Sequence, residues 1–130
     1  MNYEIRYSKL NERQKQAVNT IEGPVMVVAG PGTGKTELLS MRAANILRRT
    51  DMLPENILCL TFTESGSIAM QKRLVDIIGR EAYGISVFTF HAFGSEIISR
   101  YREYFYNGAD FNPADELTRH KIITDILQEL

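Results

Sequence analysis

The chain has 130 residues, 44% of them hydrophobic and 24% charged, with a formal net charge of −1 and a sequence pI of about 6.1. That is one domain's worth of chain with material for a real core, and the near-neutral balance excludes an overall basic footprint, so any nucleic-acid contact has to be local. Its single cysteine, Cys59, excludes an internal disulfide framework; no run approaches the ~20 apolar residues of a membrane span and no secretory signal opens the chain, so a cytoplasmic, non-membrane protein is expected.

Residues 1–10 are polar and aromatic and are expected to be mostly irregular. Asn11 to Val18 reads as a short helix, with Asn11 as N-cap and Gln14 at the reciprocal capping position. Glu22-Gly23-Pro24 breaks the chain before a first strand over 25–29. A helix over 35–49 follows. A second strand is expected over Asn56 to Phe62 and a third over Ile85 to Thr89. Between them lies a helix over 65–78, with Met70, Leu74, Ile77 and Ile78 at helical spacing and Gly79 ending it. Continuous apolar strands separated by helices predict an α/β domain with a three-stranded parallel sheet and flanking helices. Cys59, within Ile57-Leu58-Cys59-Leu60, reads as a buried small hydrophobe.

Phe93, Ile97, Tyr101 and Phe105 recur every four residues, which predicts a helix with one apolar stripe, read as core. Asn107-Gly108-Ala109-Asp110 interrupts it. Asn112-Pro113-Ala114-Asp115 then starts a last helix, Asn as cap and Pro at the first position. Its stripe is Ile122, Ile123, Ile126, Leu127 and Leu130. The chain stops on that stripe, so it reads as continuing.

The chemistry concentrates in Ala29-Gly30-Pro31-Gly32-Thr33-Gly34-Lys35-Thr36. Strand, glycine loop, Lys-Thr and helix form the layout of a phosphate-binding loop. Glycines let successive backbone N–H groups turn inward, and a helix N-terminus adds partial positive charge. Lys35 is expected on the β- and γ-phosphates and the Thr36 hydroxyl on Mg²⁺. Ala29 stands where the strict pattern has glycine. The bland alternative is a glycine-rich turn closing a βα unit. Hydrolysis also needs an acid at the end of another strand; Glu64 comes nearest, and neither it nor Asp115-Glu116 makes a convincing Mg²⁺ acid.

Four stretches together carry a family resemblance. Leu10 to Val18 resembles the Q-motif of superfamily-one helicases of the UvrD/Rep/PcrA type, and Ala29 to Thr36 resembles their motif I. Thr61-Phe62-Thr63 resembles the start of motif Ia, and Thr89-Phe90-His91-Ala92-Phe93 resembles the Thr-Phe-His motif after their third strand. The resemblance implies a P-loop NTPase (RecA-like) fold: residues 1–106 as the N-terminal part of the ATP-binding domain, 107–130 as the start of an inserted helical subdomain.

It further implies ATP and Mg²⁺ as cofactors, single-stranded DNA as partner, and a second RecA-like domain closing over the nucleotide. Gln14 would bond the adenine edge, a role compatible with its capping role. Ala29, Gly30, Pro31, Gly32, Thr33, Gly34, Lys35 and Thr36 would hold the nucleotide, with Lys35 and Thr36 catalytic. Glu37 is counted with these nucleotide-binding residues, although it stands where the family often has an arginine. Arg42 matches an arginine common in the following helix, with a structural helix charge as the stronger alternative. Phe62, Thr63, Phe90 and His91 would line the DNA path, core packing being the alternative for the two phenylalanines. Glu64-Ser65-Gly66-Ser67 departs from the family's Asn-Lys-Ala-Ala and removes positive charge from the strand path. The acidic motif II, motif III, the arginine fingers and the second domain are not found in these residues. The implied function is therefore the ATP-binding portion of an ATP-dependent DNA helicase, itself inactive as an ATPase. The alternative is a small P-loop kinase or phosphotransferase, which would need an arginine-rich lid and an acceptor site.

Overall fold

A computed structural model describes residues 3–30, 32–105 and 114–128. Its backbone divides into two units, Met1–Phe93 and Gly94–Leu130. The expected boundary at 106/107 falls among residues outside the described set.

In the first unit, α1 (Tyr3–Ser8) and α2 (Glu12–Asn19) precede a long helix α3 (Lys35–Arg49). Then come β1 (Leu58–Thr61), α4 (Glu64–Ile78) and β2 (Ser86–Thr89), with 3₁₀ turns at Pro54–Asn56 and Gly79–Gly84. The strands pair in parallel, Leu58 opposite Ser86 and Thr61 opposite Thr89. A parallel pair needs a long crossover, and α4 supplies it.

Helix α3 is the spine of the core because its small and apolar residues recur at three- and four-residue steps. Leu38, Met41 and Ala44 pack with Tyr3, Leu10, Val18 and Ile77. Ala43 belongs to a second cluster with Met70, Leu74, Ala82 and Ile85, which backs the sheet. Cys59 is only half-buried beside that cluster, and burial pushes its thiol pKa up. No helix among the described residues is long and apolar enough to cross a membrane.

Three further expectations change. The opening residues are helical rather than irregular. Tyr3 is 5% exposed and its hydroxyl donates to buried Asn45 Oδ1 at 2.9 Å, while the Arg48 guanidinium lies 4.2 Å from its ring centroid. Tertiary contact thus orders a segment whose local pattern is weak.

The sheet has two strands among the described residues, not three. Residues 24–30 form no ladder, and Val25, Met26, Val27 and Val28 are exposed. One groove on α3 is lined by Val25, Val27 and Ala29, a second by Leu58, Cys59 and Leu60; Leu39 and Arg42 line both. The apolar run and the β1 edge thus each meet α3 without a pairing partner between them, which is why the run carries no strand.

The third change is that α5 (Phe90–Arg100) stops before Tyr101, whose φ of −119° and ψ of 45° leave the helical region, and a 3₁₀ turn follows at Arg102–Tyr104. Aromatic residues crowd this point, and they lose rotamer freedom in a helix. None of the α5 residues is fully buried.

In the second unit, α6 (Glu116–Gln128) is capped by Asp115, whose Oδ1 accepts from the Thr118 amide at 2.7 Å. Hydrogen bonding from the Thr118 side chain, and then from its backbone amide, holds the Asp115 pKa below the usual carboxylate range. Asn112 and Pro113, expected to start this helix, and Leu130 of its stripe lie outside the described residues. Ile122, Ile123, Ile126 and Leu127 are exposed.

The Tyr3 contact gives a direct test of the α1 correction. Tyr3→Phe leaves Asn45 Oδ1 without its donor in the core, so urea unfolding should show a loss of about 1–3 kcal/mol. A loss indistinguishable from zero would mean that the opening helix does not dock.

Candidate functional site

The glycine loop turns between an apolar run and α3, and its backbone explains its composition. Gly32 and Gly34 have φ of +72° and +80°, the left-handed region that a Cβ disfavours. Gly34 is the N-cap of α3, and its carbonyl accepts from the Leu38 amide at 2.9 Å. The Gly30 carbonyl closes the loop. It accepts from Thr33 Oγ1 at 2.8 Å and from Lys35 Nζ at 2.8 Å. Lys35 therefore folds over the loop instead of extending away from it. Pro31 lies outside the described residues. The Thr36 carbonyl accepts from Ser40 Oγ at 2.8 Å, while its hydroxyl makes no hydrogen bond among the described residues.

Beside the loop is a depression of about 300 Å³, lined by Asn11, Gln14, Val28, Gly30, Thr33 and Lys35 among others. Helix α2 brings Gln14 there through a complete capping box. Gln14 Oε1 accepts from the Asn11 amide and Asn11 Oδ1 accepts from the Gln14 amide, both at 2.9 Å. Gln14 Nε2 donates to the Thr33 carbonyl at 3.3 Å. The capping role is thus observed, and the same side chain touches the loop. The arrangement brings together a helix N-terminus, the Lys35 ammonium and the Thr36 hydroxyl, and a helix N-terminus favours negative charge.

Glu37 is engaged elsewhere. Its carboxylate accepts from Arg6 Nη1 at 3.0 and 3.1 Å and from Arg73 Nη1, and Arg6 Nη2 lies 3.7 Å from Asp76 Oδ2. Burial pushes the Glu37 pKa up, but the hydrogen bonds and charges of Arg6 and Arg73 outweigh it and hold the carboxyl below its ordinary range. Nothing in the local sequence signals this cluster, because its members come from α1, α3 and α4. Arg42 takes the structural role: its Nη1 donates to the Ala17 carbonyl at 2.7 Å and to the Thr20 carbonyl.

A second group forms at the carboxyl ends of the strands. The register that sets Thr61 beside Thr89 sets Phe62 beside Phe90. Their ring centroids are 5.1 Å apart with planes at 45°. Phe62 is 86% exposed and Phe90 49% exposed, so neither is core. Thr63 caps α4, its Oγ1 accepting from the Gly66 amide at 3.0 Å. His91 is exposed in the first turn of α5. Glu64 is the first residue of α4, and no group of three or more His, Cys, Asp or Glu side chains suited to a metal occurs among the described residues.

Comparison with known proteins bears on the same stretches. Residues 10–130 match the family described as UvrD/REP helicase N-terminal domain. A protein of Staphylococcus epidermidis named ATP-dependent DNA helicase PcrA is 35% identical over 119 residues, which cover 92% of this chain and 16% of that protein. A protein of the same name from Staphylococcus aureus is 34% identical over 119 residues, with the same shares. The chain spans about one sixth of the length of these relatives.

Three substitutions test these backbone and charge geometries. Gly34→Ala puts a Cβ into a left-handed position and should cost about 1–2 kcal/mol. Gly94→Ala, inside α5 with nothing near its added Cβ, should instead gain about 0.5–1 kcal/mol. Both are read from denaturant unfolding. Because the Glu37 pKa is lowered on folding, its contribution is fully present above the ordinary glutamate range and lost as pH falls through the folded value. Glu37→Gln should therefore destabilise more at pH 7 than at pH 3, and an equal effect at both would contradict the ion cluster.

Proposed function

Because the chain belongs to the UvrD/REP helicase N-terminal domain family, we propose that it is the nucleotide-gripping portion of an ATP-dependent DNA helicase. In the intact protein, ATP binding and hydrolysis drive movement along single-stranded DNA. The observation that carries this reading is the loop itself: Gly32 and Gly34 in the left-handed region, Lys35 folded onto Gly30 and Gln14 tied to Thr33.

In this reading the triphosphate takes the place of the Gly30 carbonyl as the partner of Lys35 Nζ. The backbone of Ala29 to Thr36 wraps its oxygens, with N–H groups donating from every one of these residues except Pro31, and Gln14 turns its amide to the adenine edge. Mg²⁺ neutralises phosphate charge when bound, and the uncommitted Thr36 hydroxyl suits it as one oxygen ligand. The loop's part in catalysis is positional and electrostatic, holding charge that develops on the transferred phosphoryl group. Phe62 and Phe90 offer exposed faces on which bases stack, with Thr63 and His91 beside them.

The reading also gives the apolar run at 24–30 a place. Its exposed valines and unpaired backbone suit a third strand that joins the sheet when the remaining strands of a RecA-like domain are present. A second RecA-like domain then completes the ATP site, and the protein works in the cytoplasm where its DNA lies. The exposed stripe of α6 suits the start of the inserted helical subdomain. The family match leaves the kinase alternative without support.

The test measures binding of a fluorescent ATP analogue and of labelled single-stranded DNA to wild type, Lys35→Ala and Phe62→Ala. Lys35→Ala should weaken the nucleotide by at least about tenfold, in line with loss of a charge-assisted contact, and leave DNA binding nearly unchanged. Phe62→Ala should cost about 1–3 kcal/mol of DNA affinity, and rising salt should weaken DNA binding throughout. Nucleotide binding indifferent to Lys35 would overturn the proposal. The 130 residues alone should turn over negligible ATP; DNA-stimulated turnover abolished by Lys35→Ala would show that the site is already complete.

A further inference from the structure

The Glu37 cluster sits at the junction of the two candidate surfaces. Glu37 is on the first turn of α3, two residues after Lys35. Arg73 and Asp76 are on α4, the helix whose N-cap is Thr63 and whose preceding residue is Phe62. Arg6 comes from α1 and bridges both acids. The Arg6 and Glu37 side chains are 23% and 21% exposed, so the pair is largely withdrawn from water and its geometry is held. A second tie runs alongside. Ser40 Oγ lies 2.8 Å from the Thr36 carbonyl and 3.1 Å from Met70 Sδ of α4. Helix α3 thus has two polar links to α4 within its first two turns, one of them ending on the backbone of Thr36.

We infer that Glu37 is a positioning residue: with Arg6 and Arg73 it fixes the start of α3, and hence Lys35 and Thr36, to the helix that carries the Phe62–Thr63 corner. This rests on the nucleotide reading above only for its consequence, and the link itself is a property of the free protein. The physical reason is directional. A carboxylate held by two guanidiniums resists rotation of the first turn of α3 more than a single contact does. A shift of α4 would then move the phosphate loop, because packed helices shift as units.

Arg73 is the residue to change, since it lies on α4 and not in the loop. Arg73→Gln removes the charge and Arg73→Lys keeps it. The readouts are the backbone amide resonances of Gly32, Gly34, Lys35 and Thr36 in the nucleotide-free protein, affinity for a fluorescent ATP analogue, and the melting temperature. Arg73→Gln should move those amide resonances and weaken the analogue by about two- to thirtyfold, and Arg73→Lys should restore part of both. The Glu37→Gln, Arg73→Gln double variant should be no weaker than Glu37→Gln alone. If Arg73→Gln changes the melting temperature while the loop resonances and the affinity stay put, the cluster is merely structural and the inference fails. If wild type binds no analogue, the nucleotide reading fails, and the amide resonances alone then decide this one.

Discussion

A glycine in the left-handed conformation starts α3 at Lys35, and the placement of that helix governs the rest of the first unit. Gly34 turns the chain sharply enough for Lys35 to fold back onto Gly30, so a loop of small residues closes over a helix N-terminus. The same helix carries Leu38, Met41 and Ala44 into one apolar cluster and Ala43 into the other. Loop geometry and core packing are therefore not separable. A residue with a Cβ at the cap strains the turn, and a helix that starts elsewhere loses its register against α1, α2 and α4.

Electrostatics reinforces the same helix from its sides. Arg42 reaches the carbonyls of Ala17, in the last turn of α2, and of Thr20, its C-cap, and Asn45 donates to the Val18 carbonyl at 2.9 Å. Glu37 receives Arg6 and Arg73. Buried or half-buried polar groups are costly when unpaired, and these pairings keep the cost low while fixing which helices meet.

How legible this was in the sequence depended on whether the signal was local. The capping box at Asn11 and Gln14, the helix from Lys35, the two parallel strands and the Gly79 stop all follow from neighbouring residues, and all are present. The opening helix is not local: Tyr3 is ordered by Asn45 and Arg48 on a distant helix. The strand at 25–29 has the right composition, but a strand exists only with a partner. The loop's backbone was legible because the glycine spacing marks the left-handed positions at Gly32 and Gly34. The exposed pairing of Phe62 with Phe90 needed the register, and the Arg6–Glu37–Arg73 cluster needed three elements at once.

The central claim is that the backbone from Gly32 to Thr36, at the start of α3 and with Lys35 folded over it, serves as an anion cradle. The most direct measurement is a titration of inorganic tripolyphosphate into the isotope-labelled protein, following backbone amide and Lys35 side-chain resonances. The account predicts saturable shifts concentrated at Gly32, Gly34, Lys35 and Thr36, with the Lys35 ammonium leaving the Gly30 carbonyl for the added anion. Shifts spread over the surface, or none at the loop, would contradict it.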